Sequence, residues 1–78
     1  MRRAVTMPDV GAPAPIVSVW FVALDERVYA GDRLVEVLID GATIDVPAPV
    51  SGRLIEQTAL PDERVTPGHL LGYIEEEE

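Results

Sequence analysis

The chain has no lysine: its six basic residues are all arginine, against fourteen acids. Without an ε-amine there is no anchor for an amide-linked cofactor, no Schiff base and no side-chain acetylation. Cysteine is also absent, which excludes a disulfide and a thiolate zinc site. No apolar run approaches the roughly 18 residues that a membrane span needs. Met1-Arg2-Arg3 is basic, but no apolar segment of the signal-peptide kind follows it. The expected location is cytoplasmic. Helix signals are poor as well. Seven prolines and six glycines divide the chain, and no capping box precedes a stretch of period 3.6.

What is present suits a small globular domain. Seventy-eight residues allow one domain, residues 1–78. A chain this short buries only about 60% of its unfolded surface, so its core is small. Hydrophobic residues make up 47% of it, too many for a disordered chain. The net charge of −8 opposes binding to nucleic acid or to an anionic membrane, which needs clustered basic residues. It suits solubility and docking on a basic protein partner. Glu75-Glu76-Glu77-Glu78 reads as a solvated end.

Strand signals recur along the chain. Val17 to Ala23, Leu34 to Ile39, Thr43 to Val46, Leu54 to Thr58 and Leu70 to Ile74 are rich in β-branched and apolar residues, and Ala4 to Met7 fits an edge strand ending at Pro8. Asp25-Glu26-Arg27-Val28 reappears 37 residues later as Asp62-Glu63-Arg64-Val65, with Gly31 on Gly68 and Leu34 on Leu71. Those six identities fall within thirteen aligned pairs, where average residue usage gives about one. Two halves of the same pattern are therefore expected to pack about a two-fold axis. Gly31 and Gly68 are expected to supply positive φ at chain reversals. Pro47-Ala48-Pro49-Val50-Ser51-Gly52 is expected to be the stiff connection between the halves, with Gly52 permitting a sharp re-entry.

The midpoint falls near Asp40-Gly41-Ala42, between two strand segments. Asp-Gly is a strong two-residue hairpin signal, because a type I′ turn needs positive φ at both central positions. Here the chain resembles the lipoyl/biotinyl attachment domains, of the type found in 2-oxo-acid dehydrogenase acyltransferase subunits. The resemblance spans about residues 5–75. It rests on Met7-Pro8-Asp9-Val10-Gly11, Val17 to Val22 with Trp20, Gly31-Asp32 with Leu34 and Glu36-Val37, Asp40 and Ala42, and Val46-Pro47-Ala48-Pro49-Val50-Ser51-Gly52. It implies an all-β barrel-sandwich hybrid: two four-stranded antiparallel sheets with internal two-fold pseudo-symmetry and an exposed hairpin tip.

In that family the tip carries Asp-Lys-Ala, and lipoate is joined to the lysine by an amide. The resemblance therefore places Asp40 and Ala42 at the cofactor-attachment site, and Gly41 at the position of the lipoyl-lysine. Gly41 has no side chain, and the biotin-type Met-Lys-Met is missing too, so neither lipoate nor biotin can attach. Two smaller departures accompany this one. The loop after Gly11, which in the family helps the decarboxylase subunit recognise its substrate, is shorter. Asp25 and Asp62 stand where the family has turn glycines, and Asp tolerates that left-handed geometry.

Two readings of function follow. In the first the chain is a non-carrier binding or structural module of, or related to, a 2-oxo-acid dehydrogenase acyltransferase. Its partner would be a subunit of such a complex or a lipoate ligase-like enzyme. In the second it is an acyl-carrier domain whose lysine was lost or substituted. An adaptor hairpin domain of a transport or secretion protein ranks below both, since such domains usually carry helical segments between the two halves. An enzyme ranks lower still. His69, the only histidine, sits on an expected turn without a marked partner. The six aspartates lie on separate turns and strands and do not form a calcium loop. No catalytic residue and no metal site is expected. Of the neighbours Trp20 and Phe21, one is expected in the core and the other exposed.

Overall fold

The computed structural model describes residues 1–11 and 14–77. Among them the chain forms seven strands and no helix. They are β1 (Arg2–Thr6), β2 (Ile16–Trp20), β3 (Arg27–Val28), β4 (Arg33–Ile39), β5 (Ala42–Pro47), β6 (Gly52–Gln57) and β7 (Leu70–Glu76). One sheet has the order β1-β7-β6-β3 and the other β2-β4-β5, and every pairing is antiparallel. The second sheet has three full strands. In place of a fourth, Ile16 makes a single antiparallel bridge with Arg64, flanked by Val17 N–H to Glu63 O at 2.9 Å and Val65 N–H to Pro15 O at 3.0 Å. Pro61 and Pro67 bracket this segment. Its counterpart in the first half, β3, is only two residues long with no flanking proline, so the shortness belongs to both halves.

The 37-residue repeat is realised bond for bond. Asp25 N–H donates to Leu54 O at 2.6 Å, and Asp62 N–H to Val17 O at 2.8 Å. Leu54 N–H donates to Glu26 O, and Val17 N–H to Glu63 O. The Glu26 carboxylate caps Ala23 N–H at 3.1 Å, as Glu63 caps Leu60 N–H at 3.0 Å. Asp25 and Asp62 hold left-handed φ of 70° and 73°. Gly31 and Gly68, at 92° and 84°, occupy matching turns closed by Asp32 N–H to Tyr29 O and His69 N–H to Thr66 O.

The core follows the same symmetry. Val17 pairs with Leu54, Val22 with Ala59, Val28 with Val65, Leu34 with Leu71 and Val37 with Ile74, and all ten are buried. Val5 and Met7 of the first half answer to Val46 and Ala48 of the second, also buried. Val35 alone has a glycine as its mate, Gly72. A Cβ at Gly72 would meet Glu56 O at 2.3 Å and Trp20 Cη2 at 3.3 Å. The close β6 backbone at Glu56 is what forbids a side chain there, and the bare glycine also lets the indole pack close. Trp20 Nε1–H then donates to Ala59 O at 2.7 Å, while Gln57 Nε2–H donates to Val22 O at 2.9 Å. Trp20 maps onto Gln57 and Val22 onto Ala59, so the two bonds form a reciprocal clasp across the two-fold axis.

One expectation needs correction. Gly52 is not a sharp re-entry point: it opens β6 as a strand residue, with φ outside the left-handed region. It is there because the β7 backbone passes too close for a Cβ, which would sit 2.0 Å from Glu75 O. Phe21 is the exposed member of its pair, with the Arg33 guanidinium 4.8 Å from its ring centre, and Trp20 packs against the core.

Candidate functional site: the β4–β5 hairpin tip

The tip begins in a well-anchored hairpin. Val37 pairs with Ile44, Leu38 with Thr43 and Ile39 with Ala42. Val37 is buried, and Ile39 and Ile44 pack half-buried against the core. This inward row pins the register, because a slip of one residue would turn it outward. The two residues left over are Asp40 (φ 41°) and Gly41 (φ 81°), both in the left-handed region as a type I′ turn requires.

Asp40, Gly41 and Ala42 are all exposed. Nothing lies within 4 Å of where a Gly41 Cβ would be. A side chain at position 41 would therefore project freely into solvent, opposed only by the backbone conformation. The structure brings together the three residues singled out from the sequence, on one exposed turn held by a rigid ladder. The Asp40 carboxylate has no ion-pair or hydrogen-bond partner among the described residues.

The other candidates lie apart. His69 is half-buried on the 66–69 turn, engaged through its backbone with Thr66 and Met7. No three His, Cys, Asp or Glu side chains among the described residues are grouped to hold a metal. A shallow groove of about 190 Å³ opens between the edge strands β1 and β5. Val5, Thr6 and Pro8 face Val46, Pro47 and Pro49 across it, with no titratable group in its lining. Of the loop after Gly11, Ala12 and Pro13 lie outside the described residues. At its start the Asp9 carboxylate accepts the Gly11 N–H at 3.0 Å.

The model of the Biotin_lipoyl family, described as "Biotin-requiring enzyme", matches residues 3–74. The chain belongs to the Biotin_lipoyl family. As a family member it is 35% identical, over 77 residues, to the dihydrolipoyllysine-residue succinyltransferase component of the 2-oxoglutarate dehydrogenase complex of Bartonella vinsonii subsp. berkhoffii; the match covers 96% of this chain and 19% of that protein. It is 32% identical to the lipoamide acyltransferase component of the branched-chain alpha-keto acid dehydrogenase complex of Pseudomonas putida, covering 96% of this chain and 18% of that protein. The chain thus spans about a fifth of the length of these curated relatives. The solution structure of the lipoyl domain of the 2-oxoglutarate dehydrogenase complex of Azotobacter vinelandii has the same fold. Its TM-score is 0.74 at 23% identity, over 96% of this chain and all of that one. This Biotin_lipoyl domain is a lipoyl-domain module related to 2-oxo-acid dehydrogenase acyltransferases.

Proposed function

We propose that this domain is a non-carrier member of its family: a cytoplasmic binding or structural module of an assembly of the 2-oxo-acid dehydrogenase kind. One observation carries the reading. The fold presents its hairpin tip in the open, and the residue at the apex is Gly41 in a chain without lysine. Our reading puts Gly41 at the family's attachment position, flanked by Asp40 and Ala42. Neither lipoate nor biotin can be joined there, because the amide linkage needs a side-chain amine and the chain has no lysine. What the module keeps is a rigid shape and a strongly acidic surface, which favour a basic protein partner. The relatives' names point to dehydrogenase-complex subunits as that partner. A lipoate ligase-like enzyme, which would read the tip, is the other candidate.

A second reading, an acyl-carrier domain whose lysine was substituted, draws on the empty space around position 41. Affinity capture with the tagged domain, from cells that express it, tests the first reading. Recovery of a dehydrogenase-complex subunit, lost when competing untagged domain is added, supports it. Recovery of only non-metabolic proteins overturns it.

A further inference from the structure

We propose that the Asp40–Gly41 peptide is a site of spontaneous isoaspartate formation, so that the hairpin tip isomerises while the other five aspartates do not. The chemistry needs an aspartyl carboxyl group free to react and an unshielded amide nitrogen on the next residue. The Gly41 nitrogen attacks Asp40 Cγ. An N–Cγ bond forms, the Cγ–O bond breaks, and the oxygen leaves as water with the amide proton and the proton of the neutral acid. The product is a five-membered succinimide. Water then adds back at one of its two carbonyls. Opening the Cγ–N bond restores aspartate. Opening the bond between nitrogen and the main-chain carbonyl carbon leaves the chain running through Cβ and Cγ, which is isoaspartate. The overall change needs no redox partner, and the water lost in the first step is regained in the second.

Among the six aspartates the structure singles out this one. Asp9 and Asp32 have their carboxylates engaged, by Gly11 N–H at 3.0 Å and Tyr29 N–H at 2.9 Å. The Asp45 carboxylate faces Arg33 Nη1 at 3.5 Å, and Val46 follows it within β5. After Asp25 and Asp62 the next amide is already committed, Glu26 N–H to Ala23 O and Glu63 N–H to Leu60 O. Asp40 has a free carboxylate, and the Gly41 N–H makes no hydrogen bond among the described residues. Gly41 has no Cβ to shield its nitrogen, and the surrounding space is empty. It is also the only glycine in the chain that follows an aspartate.

The product would differ at the exposed tip, where a partner of the kind proposed above would meet it. Isoaspartate lengthens the main chain by one methylene within a two-residue turn, so the type I′ geometry is lost while the negative charge stays.

The test is to age the intact folded domain at neutral pH and digest it with trypsin, which here cuts only after arginine. Asp40 and Asp45 share the peptide Leu34–Arg53, so electron-transfer fragmentation is needed to place the isomer. The expected result is an isobaric second form of this peptide growing with time, with the isomer at Asp40. Before hydrolysis it is preceded by a species lighter by one water. Methyl transfer from S-adenosylmethionine by protein-isoaspartate methyltransferase should rise in parallel. Asp40→Glu, which keeps Gly41 and the charge but would have to close a six-membered ring, should show neither signal. Aged material with isoaspartate elsewhere, spread evenly over the aspartates, or formed only after unfolding in urea would overturn the proposal.

Discussion

Replacing Gly52 with alanine should destabilise the domain more than alanine at Gly31, Gly41 or Gly68, where an added Cβ meets nothing within 4 Å. Gly52 lies inside the four-stranded sheet, paired with Val28 on one side and Glu76 on the other. Its added Cβ would sit 2.0 Å from Glu75 O, 2.9 Å from Glu75 C and 3.0 Å from Ile74 Cγ2. The first contact falls short of ordinary van der Waals distance by more than an ångström, and the obstacle is backbone. Relief therefore requires β6 and β7 to move apart. Overpacking of this kind costs about 1–3 kcal/mol, and a backbone obstacle puts it at the upper end. Alanine recovers about 0.5–1 kcal/mol of conformational entropy against glycine, leaving a net loss of about 2 kcal/mol. For a domain of 60–100 residues each kcal/mol moves Tm by about 4–8 °C, so Tm should fall by ~10 °C. Thermal and urea unfolding followed by the fluorescence of Trp20, the only tryptophan, measure it. Gly41→Ala is the control. Its Cβ enters open space, and the φ strain of about 1–2 kcal/mol is offset in part by about 0.4–1 kcal/mol from the unfolded state. If Gly52→Ala were as stable as wild type, or less damaging than Gly41→Ala, the steric reading of Gly52 would be wrong.

Other perturbations test other parts of the structure. Trp20→Phe should cost about 1–3 kcal/mol beyond lost packing, since it strips the donor from the Ala59 carbonyl in the interior; Gln57→Ala should cost about 1 kcal/mol by the same route, and urea midpoints compare them. Arg27→Ala should change stability by less than about 1 kcal/mol in denaturant titrations, because its pairing with Glu77 is solvent-exposed.

Much of this architecture was legible from local chemistry. The hairpin announces itself because Asp-Gly between strand-forming segments has one favoured turn, and both φ values agree. The repeat is legible because each half meets the same burial and turn demands, from the αL aspartates to the Leu34/Leu71 pair. What escaped depends on contacts distant in sequence. The role of Gly52 comes from Glu75, across a strand pair. The exchange of bulk between Trp20 and Gly72 involves both halves, and no local pattern encodes it. β3, two residues long, and the single Ile16–Arg64 bridge are too short for alternation to mark them. The tip residues were legible, whereas the bareness of their surroundings was visible only once the chain was folded.

That Gly41 occupies the attachment position on a correctly presented tip is open to direct test. It is tested by intact mass after co-expression with lipoate ligase and lipoate, wild type beside Gly41→Lys. We predict wild type at its unmodified mass and one lipoyl group on the variant, at residue 41. A lipoyl group on wild type, or none on a folded Gly41→Lys variant, would contradict it.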